Sequence, residues 1–327
     1  MDVAEMREHE HVRDRREAGY RRQRSKPGRV ACAGNRRRRR RPYARSRGLS
    51  TVDGAGRRMR RPAWAPHNVS MDMASPARMY DALLGGSHNF AVDREAAARA
   101  LALVPDLADV ARENRAFLRR AVRYLVGAGI RQFVDLGAGI PTVGNTHEIA
   151  QSIDPTCRVA YVDIDPVAVN HAQAILAGTP GVVAIQGDLR APAQLLADDR
   201  LRAVIGVEQP VAVLLVAVLH LLTDADQPDA VVATLREAIA PGSYLVISHL
   251  TSSGRPDDAA KLSDSAARRT KVPIIFRSRS RIEEFFTKLT LLDPGVVELP
   301  DWRPDPSDEP DRKHGRSLGL AGVARKD

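Results

Sequence analysis

Val134-Asp-Leu-Gly-Ala-Gly-Ile-Pro-Thr-Val-Gly144 is the stretch on which the fold turns. It starts inside an apolar run, Gln132–Leu136, and leads into a helix-length segment, Gly144–Ile153. A strand that feeds a helix through a glycine-rich bend is the opening unit of a parallel, nucleotide-binding sheet. The same alternation continues outward. Further apolar runs fall at Arg158–Val162, Val182–Ile185, Val211–Val216 and Tyr244–Ile247, separated by helical segments near Pro166–Leu176, Pro192–Leu196 and Pro228–Ala240. Strands that read as continuously apolar and alternate with helices imply a parallel sheet covered on both faces. The fold class expected is therefore α/β: a doubly wound, Rossmann-like, mostly parallel open sheet with its ligand at the carboxyl ends of the strands. A helix near Arg281–Leu289 and possible strands at Leu289–Leu292, Gly295–Leu299 and Leu318–Ala324 close the chain.

Gly137 and Gly139 allow a sharp bend and leave no side chain between loop and ligand. A dinucleotide fingerprint would place a third glycine at position 142, which is Thr142, whereas an acid, Asp135, stands two residues before the first glycine. A carboxylate there repels a pyrophosphate and suits a cation. That favours S-adenosylmethionine, with its sulfonium and amino group, over NAD. Asp163 ends the second strand and is placed to accept from both ribose hydroxyls. Asp188 follows the third strand and is placed to accept from an adenine amino group, with Leu189 packing on the ring. Asp165, just before Pro166, reads as a helix cap. Any one such acid is as well explained by a cap or a turn; three on successive strand ends beside a glycine pair make the cofactor reading.

From Ser75 to Gly129 the pattern is helical. Asp106 is expected to cap a helix whose apolar stripe is Leu107, Val110, Ala111, Phe117, Leu118, Val122 and Leu125, ended by Gly127 and Gly129. Ahead of it, Met79 to Arg94 reads as a short helix and a loop hinged at Gly85-Gly86. That loop is either a surface connection or a lid over a pocket.

These motifs resemble class I S-adenosylmethionine-dependent methyltransferases: Asp135-Leu-Gly-Ala-Gly139, Tyr161-Val-Asp-Ile-Asp-Pro166 and Gly187-Asp-Leu-Arg190 correspond to the first three motifs of that class. More narrowly, the chain is similar to a bacterial family labelled only "SAM-dependent methyltransferase". That resemblance rests on Ala77–Gly86, Asn89-Phe90, Asp93-Arg94, Glu113–Arg119, Ile140-Pro-Thr142, Leu214–His220, Pro241–Tyr244, Arg277-Ser-Arg279 and Trp302-Arg-Pro304, and runs from Ser75 to Lys326. It implies a seven-stranded sheet with an antiparallel last strand, a cofactor lying over the first three strand ends, and a fourth strand end facing the methyl group. Pro141 departs from the broad class by replacing a common glycine; it donates no backbone hydrogen bond, so the carboxylate end of the cofactor is expected to be held differently.

His220, directly after the fourth strand, is the catalytic candidate, either as a general base or as a substrate contact, with a structural histidine as the alternative. Tyr80, Asn89, Phe90 and Arg94 on the N-terminal lid, and Asn114 and Arg115 on the long helix, are the candidates for lining the substrate pocket. Surface ion pairing is the other reading of Arg94 and Arg115. Arg277 and Arg279 read as members of a solvated loop that could also reach an anionic substrate.

The net charge of +10 belongs to one end. Residues 1–70 hold 21 Lys and Arg against 7 Asp and Glu, whereas the other 257 hold 29 against 33. The body therefore lacks the bulk charge of a nucleic-acid binder. Residues 1–70, with six arginines in a row at Arg36–Arg41, are expected to be disordered. They read as an arm for nucleic acid or another anionic surface, as a passive solvated tail, or as an extension upstream of a natural start at Met71 or Met73; the abrupt change of composition favours the last. Residues 71–129 are expected to form a helical lid, and 130–327 the catalytic core. Cys32 and Cys157 are too few and too far apart for a disulfide framework or a zinc cluster, so no metal is expected. The longest apolar run, Val211–Leu219, falls far short of a bilayer span, and no secretory leader is evident, which points to a cytoplasmic protein.

The sequence thus points to methyl transfer from S-adenosylmethionine to a small-molecule acceptor. The alternatives are a catalytically silent S-adenosylmethionine-binding regulator and a nucleic-acid methyltransferase guided by the basic arm.

Overall fold

A computed structural model describes residues 71–141, 144–269, 272–305 and 318–327. The expectations for residues 1–70 and for Thr142 lie outside the described residues.

Three helices come first: α1 (Pro76–Leu83), α2 (Ala91–Leu103) and α3 (Leu107–Gly127). The alternating part follows as β1 (Gln132–Leu136), α4 (Thr146–Ile153), β2 (Arg158–Asp163), α5 (Pro166–Ile175), β3 (Val182–Gln186), α6 (Pro192–Ala197), α7 (Asp199–Arg202), β4 (Ala212–Val216), α8 (Pro228–Ala238) and β5 (Tyr244–Leu250). The chain closes with α9 (Pro256–Arg269), α10 (Arg279–Glu283), β6 (Thr290–Leu291), β7 (Val297–Glu298) and β8 (Gly319–Arg325).

The sheet order is β3-β2-β1-β4-β5-β8-β6, with β7 also paired to β8. The first five strands are parallel, and β8 runs antiparallel to β5 over seven residue pairs. The expected seventh strand position is filled by two pieces, β6 and β7, each of two residues and each pairing with β8, so the sheet has eight strands.

Strand side chains alternate between two apolar cores, as a two-residue period requires. Phe133, Val159, Tyr161, Leu214 and Val246 pack toward α3, α4 and α5. Val134, Leu136, Val162, Leu215 and Ile247 pack toward α6, α7, α8 and α10. Both faces are buried, which is why the strands read as unbroken apolar runs.

Three expectations change. The helices of residues 71–129 are not packed apart from the core: Ala100 of α2 and Phe117, Leu118, Val122 and Leu125 of α3 share an apolar cluster with the sheet. Asp106 precedes α3 without capping it; its carboxylate instead takes Arg255 Nη1 at 2.5 Å and Nη2 at 2.9 Å, because a guanidinium fork is a stronger partner than a helix amide. Finally, α9 was not foreseen. Its stripe is only Ala259, Leu262 and Ala266, small and widely spaced among charges, yet all three are buried. Among the described residues no helix is long and apolar enough to cross a membrane.

Candidate functional site

Strand order reverses between β1 and β4, and parallel strands open a crevice at their carboxyl ends at such a point. A cavity of about 240 Å³ lies there, lined by Asp135, Gly137, Gly139, Asp163, Asp188 and Leu189 from the sheet and by Tyr80, Asn114, Arg115 and His220 around it. The bend that forms its wall is tight. Gly137 has φ +71°, and a Cβ on it would stand 2.2 Å from Cγ2 of Val218. The amides of Gly137 and Ala138 donate to the Val162 carbonyl at 2.8 and 3.2 Å, which ties the loop to the neighbouring strand. Gly139, with φ +67°, faces open space.

Asp163 holds the loop from the other side. Its Oδ2 accepts from the Gly139 amide at 2.7 Å and its Oδ1 from the Asp165 amide at 2.8 Å. Burial, assisted by the charges of Asp165 and Asp135 and opposed by those two amides, pushes its carboxyl up to about 6. Asp165 caps α5 as the sequence suggests, accepting from the Val167 amide at 2.8 Å, and also takes Arg78 at 3.1 Å and the Ser75 hydroxyl. Asp135 is buried, accepts from Thr146 Oγ1 at 2.7 Å, and has its carboxyl raised by burial. Arg115 lines this cavity and not a second, apolar cavity that shares Tyr80, Asn114 and His220 with it, and its Nε is buried without a hydrogen-bond partner among the described residues. A carboxylate and a guanidinium with an unbonded nitrogen in one cavity fit the two charged groups of a zwitterionic amino acid, and the Asp163 carboxylate fits a pair of hydroxyls.

Asp188 differs from the expectation. Arg190 Nε and Nη2 clasp its carboxylate at 2.9 and 2.6 Å, and the Arg190 amide adds a bond at 2.9 Å. These bonds hold its carboxyl below the usual range. Its oxygens are thus engaged already, although a half-exposed ion pair of this kind is weak enough for a ligand to displace.

At the end of β4 the backbone of Ala217 takes φ +56°, a conformation a non-glycine residue adopts only at a cost of roughly 1–2 kcal/mol. A chain of hydrogen bonds over-determines it. The Ala217 amide donates to Ser248 Oγ at 2.9 Å, Ser248 Oγ to Asn114 Oδ1 at 2.6 Å, Asn114 Nδ2 to the Tyr80 hydroxyl at 2.9 Å, and that hydroxyl to the Ala111 carbonyl at 3.0 Å. This chain links the sheet to α1; burial raises the Tyr80 phenol, against the Arg115 charge and the Asn114 hydrogen bond, which lower it. The bend carries His220 into a 3-10 turn, Leu219–Leu221, where it borders the cavity.

Arg277 is not in a solvated loop. It is 5% exposed, and its guanidinium donates to the Leu219 and Leu222 carbonyls at 3.1 and 3.0 Å, to His249 Nε2 at 2.9 Å and to Asp224 at 2.9 Å. It therefore braces the turn that carries His220. The His249 ring, whose Nδ1 donates to the Leu250 carbonyl at 2.7 Å, lies edge-on to His220 with centroids 5.9 Å apart. Burial first, then His249 and the Arg277 charge, pushes the His220 imidazole down to about 3, so the ring is neutral at physiological pH. Its Nδ1 is buried without a hydrogen-bond partner among the described residues.

Of the residues expected to line the pocket, Tyr80 and Asn114 border this cavity and its neighbour, whereas Asn89, Phe90 and Arg94 border neither. Asn89 Nδ2 donates to Asp81 at 2.7 Å and to the Gly86 carbonyl at 2.9 Å. Arg94 donates to the carbonyl and side-chain oxygens of Asn89 at 3.0 and 2.9 Å. Phe90 packs with Met71, Ile140 and Val167, under the Arg78 guanidinium. These three build the loop after α1 rather than a pocket wall. Residues not foreseen are Thr146, Ala217 and Ser248. Ser248 carried a signal, a hydroxyl inside an apolar strand; Thr146 and Ala217 carried none.

A model of a family described as S-adenosyl methyltransferase matches residues 62–327. The crystal structure of a candidate methyltransferase from Thermobifida fusca YX is 42% identical, with a TM-score of 0.76 over 81% of this chain and 100% of that one. The crystal structure of a DUF574-family protein from Streptomyces avermitilis is 36% identical, with a TM-score of 0.75 over 79% of this chain and 100% of that one. A search of curated proteins finds no match.

Proposed function

The chain belongs to the S-adenosyl methyltransferase family, with S-adenosylmethionine as its cofactor, and on that premise we propose that it methylates a small molecule held beside His220. The observation that carries this reading is a pair of cavities with a shared wall. The one described above and an apolar one of about 140 Å³ share Tyr80, Asn114, Ala217 and His220 at the carboxyl end of β4.

In this reading Asp163 accepts from the ribose hydroxyls, Leu189 and Asp188 flank the adenine, and Asp135 and Arg115 take the amino and carboxylate groups of the methionine end. Arg115 thereby does what a backbone amide at Pro141 cannot. The bound cofactor supplies an electrophilic methyl group on a positively charged sulfur. The protein's share is mainly alignment and exclusion of water. Neutral His220 accepts a hydrogen bond from the acceptor's O–H or N–H and so aims its lone pair. With a value near 3 the imidazole holds a proton only in passing, which makes it an orienting group before it is a strong base.

Two measurements test this. Asp163→Ala should weaken S-adenosylhomocysteine binding by about 1–3 kcal/mol, the scale of hydrogen bonds to a charged group; an unchanged affinity by calorimetry would count against the assignment. Binding should also depend on pH. The ribose hydroxyls need the ionised carboxylate, which below about pH 6 carries a proton that must leave on binding. The Kd should therefore rise about tenfold from pH 7 to pH 5, and Asp163→Asn should flatten that slope. A slope retained in Asp163→Asn would assign it to another group.

A further inference from the structure

The apolar cavity differs in kind from its neighbour. Its walls come from Met79 and Leu83 of α1, Ala100 of α2, Val110 of α3, Leu262 of α9, and Phe276. No Asp, Glu, Lys or Arg is among the described residues that line it. The polar groups at the end shared with the cofactor cavity are mostly committed. Tyr80, Asn114 and Ser248 are bonded to one another and to backbone, and His249 has both ring nitrogens engaged. At that end His220 is the exception, with Nδ1 buried and without a partner; Ser265 of α9 is the remaining polar side chain of the lining.

Size narrows the occupant. An engineered apolar cavity of roughly 150 Å³ takes up one benzene ring, and this one is about 140 Å³. Charge narrows it further, since a carboxylate or ammonium placed here would lose its water and find no opposite charge among the described lining residues. From these three observations we infer that the methyl acceptor is an uncharged molecule whose buried part is about one six-membered ring, bearing an O–H or N–H donor directed at His220. The inference rests on the reading that the adjoining cavity binds the nucleoside cofactor.

Small monocyclic probes test it by ligand-observed NMR and calorimetry, on the protein with and without S-adenosylhomocysteine. Phenol should bind saturably, toluene more weakly for want of a donor, and benzoate and benzylamine at pH 7 about tenfold or more weakly than phenol. In His220→Ala the preference for phenol over toluene should vanish. Filling the cavity with Ala100→Phe should abolish phenol binding while leaving S-adenosylhomocysteine affinity unchanged. If that variant does not fold, Ala266→Leu on the facing helix serves the same purpose, and the comparison among probes on the unaltered protein stands by itself. Equal or tighter binding of benzoate or benzylamine, or no saturable phenol binding in either form, overturns the inference. Phenol binding in a protein that takes no S-adenosylhomocysteine supports the apolar site and overturns the cofactor reading instead, so the two fail separately.

Discussion

Replacing Arg78 with alanine is expected to remove about 3–5 kcal/mol of folding stability, the usual loss when one partner of a buried ion pair is deleted. Arg78 is 4% exposed, with Nε on Asp93 at 2.9 Å, Nη1 on Asp165 at 3.1 Å and Nη2 on the Met73 carbonyl at 2.7 Å. Asp93 is fully buried, and its other bonds are to the amides of Phe90 and Ser75 at 2.8 and 2.9 Å. Without the guanidinium, two carboxylates are left in an apolar surround with backbone and hydroxyl donors only. The effect has a sign in pH. Burial already raises the Asp93 carboxyl in the folded protein despite Arg78, and removing the cation raises it further. A group whose folded value lies above its unfolded one contributes stability that is full below the unfolded value, near 3.8, and is lost as pH rises through the folded value. The variant's deficit should therefore be largest at pH 7 and should shrink toward acid pH, where Asp93 takes up a proton. Urea denaturation of both proteins at pH 7 and pH 5 reads this out; a difference below about 1 kcal/mol at pH 7 would show that the cluster contributes little. Since Asp165 follows Asp163 by two residues, the same variant should also loosen S-adenosylhomocysteine binding by linking α1 less firmly to the cofactor loop.

The second large effect is expected at the glycine bend. Gly137→Ala combines a left-handed backbone, at roughly 1–2 kcal/mol for a residue with a Cβ, with a Cβ 2.2 Å from a Val218 methyl, an overpacking of about 1–3 kcal/mol. A stability loss of roughly 2–5 kcal/mol follows, with S-adenosylhomocysteine affinity down at least tenfold as the loop shifts from the strand ends. Gly139→Ala is the instructive comparison. It shares the backbone conformation but meets no atom within 4 Å. Its stability loss should be near 1 kcal/mol, whereas its loss of cofactor affinity should be out of proportion if the ligand fills that open space. Equal stability losses in the two variants would contradict the close packing at Val218. Combining Gly137→Ala with Val218→Ala should recover part of the loss.

Local pattern carried much of this. The apolar run of β1, the glycine pair and an acid in or just after each of three strands are features of neighbouring residues, and Asp135, Gly137, Gly139, Asp163 and Asp188 all border the strand-end cavity. The Asp165 cap was legible for the same reason, since its partner is two residues away. The misreadings share a cause at the other end of the scale. Asp106 pairs with Arg255 across 149 residues, Arg277 is buried by carbonyls more than fifty residues distant, and Asn114 reaches Ser248 across 134. In one dimension Arg277, followed by Ser278, Arg279, Ser280 and Arg281, looks like part of a solvated run, because nothing nearby says that four acceptors will surround it. Arg190 is the local exception: it stands two residues from Asp188, where only its rotamer decides whether it points to the acid or to solvent.

Hydrophobic period and strand-end residues act over a few positions of chain, so the doubly wound sheet and the residues that border its strand-end cavity could be read from the amino-acid order. Which polar groups keep hydrogen-bonding capacity around the adjoining cavity is set by long-range packing. That depends on how distant helices satisfy one another's hydrogen bonds, and a buried group becomes available to a ligand only when every closer partner has been taken.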